Sequence, residues 1–415
     1  MEVLKIATAG SVDDGKSTLI GRILYDTKSL TTDKLEAIEK TSKRRGYDYL
    51  DFSLATDGLV AEREQGITID VAHIYFSQGH RSYIIADTPG HIEYTRNMVT
   101  GASTSQASII LIDARKGVIE QTYRHFFINN LLRVKDIVVA INKMDLVDYS
   151  EEIFNKIKSD FQQILDKTDY QEQNVSFIPV SALHGDNVVH ASKNMPWYNG
   201  TTVLGHLETL DTSKIYSGNT PRFPIQTVVR PKTEGYHDFR GYSGKVCGGD
   251  LSVGDEIMVL PSQTESKVKE IFVHDQQFDT AVQSSSVTLT LANDINVSRG
   301  DMIVKKDELP SILKEVNATV CWMDSTQLRS RNKYILQHGV NKVLSIVTDI
   351  KHKIHPDFSG IDSDVRQLEM NDIAEVSFKL NRPIYADPFT ENRENGAFIL
   401  IDQNTNNTVG VGFIR

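Results

Sequence analysis

A short segment near the start of the chain constrains its fold more than any other feature. It reads Gly10-Ser11-Val12-Asp13-Asp14-Gly15-Lys16-Ser17-Thr18. The apolar stretch Leu4 to Ala9 precedes it, and four apolar residues on one helical face follow it, namely Leu19, Ile20, Ile23 and Leu24. A G-x-x-x-x-G-K-[ST] motif that binds phosphate requires a strand before it and a helix after it. Because both elements are predicted here, the context favours a phosphate-binding motif over a glycine-rich turn with a solvated lysine. The sequence therefore predicts a phosphate-binding loop, or P-loop.

The residue types of this P-loop match the chemistry of a bound polyphosphate. Backbone N–H groups of the loop and of the helix N-terminus point toward phosphate oxygens. Lys16 adds a positive charge toward the terminal phosphates, and the Ser17 hydroxyl can ligate Mg²⁺. Asp13 and Asp14 are unusual beside a polyanion, so we expect their side chains to point outward into solvent. The alternative is that Asp13 helps to hold a monovalent cation or the shape of the loop itself.

A later segment indicates which base the site accepts. Asn142-Lys143-Met144-Asp145 follows the apolar strand Ile137 to Ile141. The Asp145 carboxylate can accept two parallel hydrogen bonds from the N1–H and 2-amino groups of guanine, and adenine offers no such pair of donors. Asn142 and the stem of Lys143 would hold the loop and cover the ring. Alone, such residues are more often a helix N-cap, but their position downstream of a P-loop favours a guanine site.

A companion loop is expected from Ser181-Ala182-Leu183, which follows the predicted strand Val175 to Val180. There it would contact the base from the side opposite Asp145. Together the two loops make GTP, with Mg²⁺, the favoured nucleotide.

Two segments between these motifs are predicted to respond to the third phosphate. Asp87-Thr88-Pro89-Gly90-His91 follows the strand Tyr83 to Ala86, so the Asp87 carboxylate lies at a strand end and fits a water ligand of Mg²⁺. Because Gly90 has no side chain, its N–H can reach the γ-phosphate. The segment Arg63 to Asp70 places Thr68 at the start of a strand, where its hydroxyl and carbonyl could complete the Mg²⁺ shell.

His91 is the candidate catalytic residue. To catalyse GTP hydrolysis, a protein mainly has to orient a water and to stabilise charge on the transferring phosphoryl group. A histidine in a loop is more often structural or exposed, but a position directly after Asp-x-x-Gly favours a role at the γ-phosphate. We therefore expect His91 to position the attacking water.

The pattern of apolar residues divides the chain into one α/β part and two strand-rich parts. Residues 1–215 alternate strand and helix, with continuous apolar runs typical of buried parallel strands. Short strands separated by glycine turns predict a β-barrel over 220–309, with a second barrel over 312–415. In the first barrel, strands are expected at Phe223 to Arg230, Gly244 to Cys247, Asp255 to Leu260, Val268 to Val273 and Val287 to Leu291. The predicted fold class is α/β, a P-loop GTPase domain with a parallel sheet followed by two β-barrel domains.

Composition agrees with this organisation. A length of 415 residues, of which 40% are hydrophobic, provides for several cores. The two cysteines, Cys247 and Cys321, lack metal-ligand spacing, and the first strand begins at once without an export leader, which favours the cytoplasm. No apolar run approaches the roughly 20 residues that span a bilayer, so no membrane partner is expected. The formal net charge of −10 disfavours indiscriminate nucleic-acid binding, and we expect no nucleic-acid partner.

The ordered motifs resemble those of the translation-factor class of GTPases, and they are closer still to one branch of it. Over nearly its whole length the chain is similar to the large, GTPase subunits of bacterial sulfate adenylyltransferases. The resemblance rests on the P-loop and on these further segments: Leu24 to Lys28, Ala61 to Ala72, Tyr94 to Met98, Thr100 to Thr104, Asp113 to Val118, Cys321 to Met323, Asn381 to Ile384, Gly396 to Asp402 and Thr408 to Gly410. Elongation factors usually carry a histidine in place of Asp14.

The resemblance implies a subunit that couples GTP hydrolysis to the formation of adenosine 5′-phosphosulfate and diphosphate from ATP and sulfate. It also implies a small catalytic subunit, subunit 2, as partner in a heterodimer or higher assembly. Two alternatives stay open, a translation elongation factor-like GTPase that delivers aminoacyl-tRNA and a regulatory GTPase scaffold. Asp14, Cys321 to Met323 and the C-terminal segments speak against the first, and His91 speaks against the second.

Overall fold

The computed structural model describes residues 2–44, 46, 49–55, 71–88, 95–168, 170, 172–211, 220–231 and 239–415. Thr68, Pro89, Gly90 and His91, which belong to the predicted site, lie outside these ranges. The chain forms two compact units, Met1–Ile215 with His355–Gly360, and Tyr216–Ile354 with Ile361–Arg415.

A mostly parallel sheet forms the middle of the first unit. Its described strands are β1 (Glu2–Ala9), β2 (Ala72–Gln78), β3 (Arg81–Asp87), β4 (Ala107–Asp113), β5 (Asp136–Asn142) and β6 (Asn174–Pro179). They lie in the order β2-β3-β1-β4-β5-β6, and only the β2–β3 pair within this described sheet is antiparallel. Every residue of β4 and β5 is buried, as continuous apolar runs predict for central parallel strands.

Helices accompany this sheet in the same unit. Those described are α1 (Lys16–Asp26), α2 (Thr32–Arg44), α3 (Thr95–Ser103), α4 (Glu120–Leu131), α5 (Glu151–Leu165) and α6 (Val203–Thr209). α1 begins within the P-loop, at Lys16, and buries Leu19, Ile20, Ile23 and Leu24, which confirms the predicted apolar face. None of the helices in the described ranges has the length and apolar character that a bilayer crossing requires.

The strand order brings the predicted motifs to one edge of the sheet. β1 lies between β3 and β4, so the chain leaves β1 where the strand order reverses. Ligands of open α/β sheets bind outside the carboxyl ends of the strands at such a point. The P-loop follows β1 there, and Asp87, Asp113 and Asn142 end β3, β4 and β5.

The first barrel of the second unit is antiparallel. Its strands are β7 (Arg222–Val229), β8 (Gly241–Lys245), β9 (Leu251–Ser252), β10 (Glu256–Leu260), β11 (Thr264–Val273), β12 (Gln276–Phe278), β13 (Thr280–Ala281), β14 (Ser286–Leu291) and β15 (Met302–Lys305). The order β10-β15-β7-β8-β14-β11-β12 closes because β10 also pairs with β11. Apolar side chains including Phe223, Ile257 and Ile303 fill its interior.

The second barrel closes in the same way. Its strands are β16 (Ser311–Trp322), β17 (Leu328–Arg329), β18 (Lys333–His338), β19 (Asn341–Ile354), β20 (Ile361–Asp362), β21 (Gln367–Leu368), β22 (Ile373–Ala386), β23 (Ala397–Ile401) and β24 (Thr408–Ile414). The order is β18-β23-β24-β16-β22-β19-β20, and β18 also pairs with β19. Trp322, Phe378 and Phe398 lie in its core.

The predicted fold class is confirmed, and one strand prediction is wrong. β8 covers Gly241–Lys245 and not Gly244 to Cys247. After β8 the chain turns at Gly248, whose φ is +86°, and Cys247 forms an isolated bridge with Arg222. The predicted domain boundaries at 215, 220, 309 and 312 stay predictions.

A buried ion pair joins the two barrels within the second unit. The Arg222 guanidinium at the start of β7 donates from Nε and Nη2 to the two carboxylate oxygens of Asp387, both at 2.9 Å. Arg222 Nη1 also donates to the Glu308 carbonyl at 2.6 Å, and Asn395 Nδ2 donates to Asp387 at 2.7 Å. Arg222 and Asp387 are both buried, so these bonds form away from water.

Candidate nucleotide-binding site

The P-loop, between β1 and α1, takes a backbone shape that depends on glycine. The φ of Gly15 is +94°, and a Cβ added there would lie 2.4 Å from Nδ2 of Asn142. Both the left-handed backbone and the close side chain therefore require a residue without Cβ at this position. Asp13 also has a positive φ, +67°, which aspartate tolerates better than most residues.

Lys16 closes over the inside of the P-loop. Its side chain is buried, and Nζ donates to the carbonyls of Gly10 at 2.7 Å and Ser11 at 3.2 Å. Burial lowers the pKa of Lys16, whereas Asp87, Asp14 and Asp13 oppose that change. The ammonium group is thus held where a terminal phosphate can replace its carbonyl partners.

The prediction of outward aspartates is right for Asp13 and wrong for Asp14. Asp13 is exposed, whereas Asp14 is buried. The Oδ2 atom of Asp14 accepts a hydrogen bond from the Ser11 N–H at 2.6 Å, which turns the side chain back onto its own loop. This bond to a backbone donor offsets part of the cost of burying a carboxylate.

Hard oxygen donors lie on the side of the site where a metal is predicted. Asp87 is buried at the end of β3 and accepts a hydrogen bond from Thr8 Oγ1 at 3.0 Å. The neighbouring Thr88 donates from its hydroxyl to the Thr8 carbonyl. Ser17 occupies the first turn of α1. Hydroxyl and carboxylate oxygens are the ligands that Mg²⁺ prefers, so the residues present fit this ion.

Asn142 joins three segments that are far apart in sequence. Its Nδ2 donates to the Asp14 carbonyl of the P-loop at 2.8 Å, and its Oδ1 accepts from the Ala182 N–H at 2.9 Å. The single side chain therefore sets the spacing between the P-loop and the Ser181-Ala182-Leu183 loop. The predicted motifs come together at this junction.

Lys143 covers the outside of the P-loop. Its backbone is left-handed, with φ +64°, and its Nζ donates to the Asp13 carbonyl. The same Nζ lies 3.0 Å from Oδ2 of Asp113 at the end of β4. The Lys143 side chain thus contacts both the P-loop and the end of β4, and its predicted role in covering a base stays a prediction.

Asp145 has a buried carboxylate oxygen without a hydrogen-bond partner in the described part of the chain. It lies with Met144 in the 3-10 helix Met144–Val147, and its side chain is 12% exposed. Oδ1 is buried with no hydrogen-bond partner among the described residues, and Oδ2 lies 3.9 Å from Nε2 of His184. An unpaired buried carboxylate oxygen is costly, so this atom is suited to accept hydrogen bonds from a ligand.

The companion loop is held rigidly beside Asp145. The Ser181 N–H donates to the Asp186 carbonyl at 3.2 Å, and the Ser181 hydroxyl accepts from the His184 N–H at 3.3 Å. The Leu183 carbonyl accepts from Arg22 of α1 at 3.3 Å. These bonds fix the loop from both ends.

The sequence prediction gave no role to the turn that follows β4. Arg115 donates two bonds to Asp113, from Nε at 3.0 Å and from Nη2 at 2.6 Å. Burial would raise the pKa of Asp113, but hydrogen bonds from Arg115 and Lys143 outweigh it and hold the pKa below its ordinary value. The sequence could have pointed to Asp113 by its position at the end of a strand, because Asp87 and Asn142 also end strands of the same sheet.

The fold and the gathered motifs define a P-loop GTPase of the translation-factor class. The family model described as the elongation factor Tu GTP binding domain matches residues 1–225, and the model described as GTP-eEF1A C-terminal domain-like matches 315–415. Over half of the chain thus matches the GTP-binding model.

Proteins of similar sequence indicate the family within this class of GTPases. Sulfate adenylyltransferase subunit 1 from Colwellia psychrerythraea is 48% identical, covering 100% of this chain and 88% of that protein. The protein of the same name from Bacteroides fragilis is 47% identical, with 86% of its length covered. The bifunctional enzyme CysN/CysC of Mycobacterium tuberculosis is 45% identical over 99% of this chain and 67% of its own length. The chain therefore belongs to the sulfate adenylyltransferase subunit 1 family, which favours that interpretation over a translation factor.

Proposed function

We propose that this chain binds and hydrolyses GTP as the large subunit of a sulfate adenylyltransferase. The observation that carries the proposal is the junction at Asn142, which joins the P-loop to the Ser181-Ala182-Leu183 loop. Next to it lies the Asp145 oxygen that has no hydrogen-bond partner among the described residues. This arrangement offers phosphate donors at one end and a strong acceptor for guanine at the other. The subunit role follows from the names of its relatives.

Each part of the site has a role in this proposal. Backbone N–H groups of Gly10 to Thr18 and the Lys16 ammonium bind the phosphates. Ser17 and Thr68 would hold Mg²⁺ directly and Asp87 would hold it through a water, and the ion would supply positive charge that offsets the phosphates. The proposal assigns Thr88, Pro89 and Gly90 to the γ-phosphate, to which the Gly90 N–H would donate.

Hydrolysis requires a positioned water. The water oxygen attacks the γ-phosphorus, the bond from that phosphorus to the bridging oxygen breaks, and GDP and phosphate are the products. His91 orients the water. We expect His91→Ala to keep GTP affinity and to slow hydrolysis, with His80→Ala, an exposed histidine of a turn, as the matched control. Unchanged single-turnover hydrolysis in His91→Ala would remove this assignment.

GTP hydrolysis drives an unfavourable reaction in this proposal. Adenosine 5′-phosphosulfate contains a sulfate–phosphate anhydride, so its formation from ATP and sulfate, with release of diphosphate, runs uphill unless another hydrolysis is coupled to it. Adenylyl transfer takes place on a separate small subunit, with which this chain forms a heterodimer or higher assembly.

A turnover assay tests the coupling. GTP hydrolysis by the purified chain is followed with and without the small subunit, ATP and sulfate. We expect a rise that depends on all three additions. The proposal would be contradicted if the rate of GTP hydrolysis did not change with these additions and the chain recovered tRNA in place of the small subunit from native extract.

A further inference from the structure

The P-loop carries an ion pair to which the proposed function gives no role. Asp14 is 3% exposed and uses Oδ2 to accept the Ser11 N–H. Its other oxygen, Oδ1, is buried and has no hydrogen-bond partner among the described residues. Lys116 Nζ lies 3.6 Å from Oδ1, a distance that gives Coulomb attraction without a hydrogen bond.

The backbone that carries Lys116 is fixed. In the turn after β4, the N–H groups of Lys116 and Gly117 donate to the Asp113 carbonyl at 2.9 Å and 3.0 Å. Gly117 has a φ of +69°, which ends this turn in a left-handed conformation. The Lys116 side chain itself is 40% exposed, so its ammonium keeps contact with water while it reaches the P-loop.

The charge of Asp14 has to be compensated when phosphates bind. Burial raises the pKa of Asp14, and the Ser11 N–H, Lys16 and Lys116 lower it, whereas Asp113 raises it. Lys16 lies inside the loop, where the phosphates of the nucleotide compete for its charge. Lys116 reaches Asp14 from the turn after β4, and the proposed function gives its charge no phosphate to neutralise.

We propose that Asp14 and Lys116 form a positioning pair for nucleotide binding. Lys116 neutralises Asp14 and holds its carboxylate against the Ser11 N–H, turned away from the phosphates. The loop then keeps the shape that admits GDP and GTP. The proposal rests on the guanine-nucleotide binding proposed above and is independent of the coupling to adenylyl transfer.

A double-mutant cycle tests the pair. We expect Lys116→Met to weaken both GDP and GTP binding about tenfold, because an uncompensated carboxylate then faces a polyanion. Asp14→Asn keeps an oxygen that can accept the Ser11 N–H and removes the charge. In the Asp14→Asn background, Lys116→Met should weaken nucleotide binding less than about twofold, because the charge with which Lys116 interacts is already gone. Lys116→Arg should restore parental affinity because it keeps the cation.

Controls separate this proposal from general effects on folding. Lys156→Met, an exposed lysine of α5, should leave both affinities unchanged. Dissociation constants from calorimetric titration, with thermal melting of each variant, provide the readouts. The proposed pair would be refuted if Lys116→Met reduced nucleotide affinity equally in the parental and Asp14→Asn backgrounds, or if it reduced affinity in neither. Failure of Lys116→Arg to restore parental affinity would also refute it. A parental chain that binds neither nucleotide would instead refute the proposed function.

Discussion

Replacing Asp145 by asparagine should change the base that the site accepts. Oδ1 of Asp145 is buried without a hydrogen-bond partner among the described residues, and Oδ2 lies 3.9 Å from Nε2 of the His184 ring. A guanine base would supply the missing donors through its N1–H and 2-amino groups. Asparagine keeps one acceptor and converts the other into a donor, which clashes with the 2-amino group but matches the 2-carbonyl of xanthine.

The size of the effect follows from the charge on the acceptor. Hydrogen bonds to charged groups contribute about 1.5–3 kcal/mol each and neutral ones about 0.5–1.5 kcal/mol, so losing one bond and the charge on the other acceptor costs about 2.5–4.5 kcal/mol. That corresponds to a GTP affinity weaker by a factor of about 10² to 10³. Because the side chain is only 12% exposed, water offsets little of the loss.

Competition assays measure this change directly. Displacement of a fluorescent guanine nucleotide by GTP, ATP and XTP gives the three affinities for the parent and for Asp145→Asn. Asp148→Asn, an exposed aspartate just beyond the same 3-10 helix, is the matched control. If Asp145→Asn bound GTP within about threefold of the parent, or gained no affinity for XTP, the assignment of Asp145 to the guanine base would be refuted.

Three further changes test other parts of the structure. Gly15→Ala should weaken nucleotide binding by at least about 2 kcal/mol, because it strains a left-handed residue and displaces the Asn142 side chain, and parental affinity in a titration would refute this. Arg222→Met should lower the free energy of unfolding in urea by about 3–5 kcal/mol, and adding Asp387→Leu should recover most of it; equal stability of parent and single variant would contradict the role of the pair. Because the folded state lowers the pKa of Asp113, its carboxylate stabilises the fold above its ordinary pKa. The Asp113→Asn variant should therefore have a smaller free energy of unfolding than the parent at pH 7, and this difference should shrink as acid protonates Asp113. A difference that stays the same over that pH range would contradict this explanation.

The parts of the site that lie within one local segment were predictable. The order of strand, glycine-rich loop and amphipathic helix placed the P-loop between β1 and α1, and the apolar runs placed β4 and β5 in the middle of a parallel sheet. Strand ends then located Asp87 and Asn142, because parallel strands end at the same edge. Strand spacing and glycine turns were enough to predict two barrels.

Contacts between distant segments could not be predicted in the same way. Asn142 bonds to a P-loop carbonyl 128 residues away, and Arg222 pairs with Asp387 across 165 residues. The inward turn of Asp14 depends on a donor in its own loop and on a lysine that arrives from the turn after β4. Local composition favoured a solvated carboxylate there, and neither the Ser11 donor nor the approach of Lys116 could be predicted from it.

The most direct test of energy coupling is the final extent of adenosine 5′-phosphosulfate formation. The chain and its small subunit are incubated with ATP, sulfate and either GTP or a GTP analogue that cannot be hydrolysed, and the product is measured once it stops rising. Coupling predicts a ratio of products to substrates with GTP that exceeds the ratio with the analogue and falls back when GTP is exhausted. The same ratio with both nucleotides would contradict the account, because hydrolysis would then contribute no driving force to the reaction.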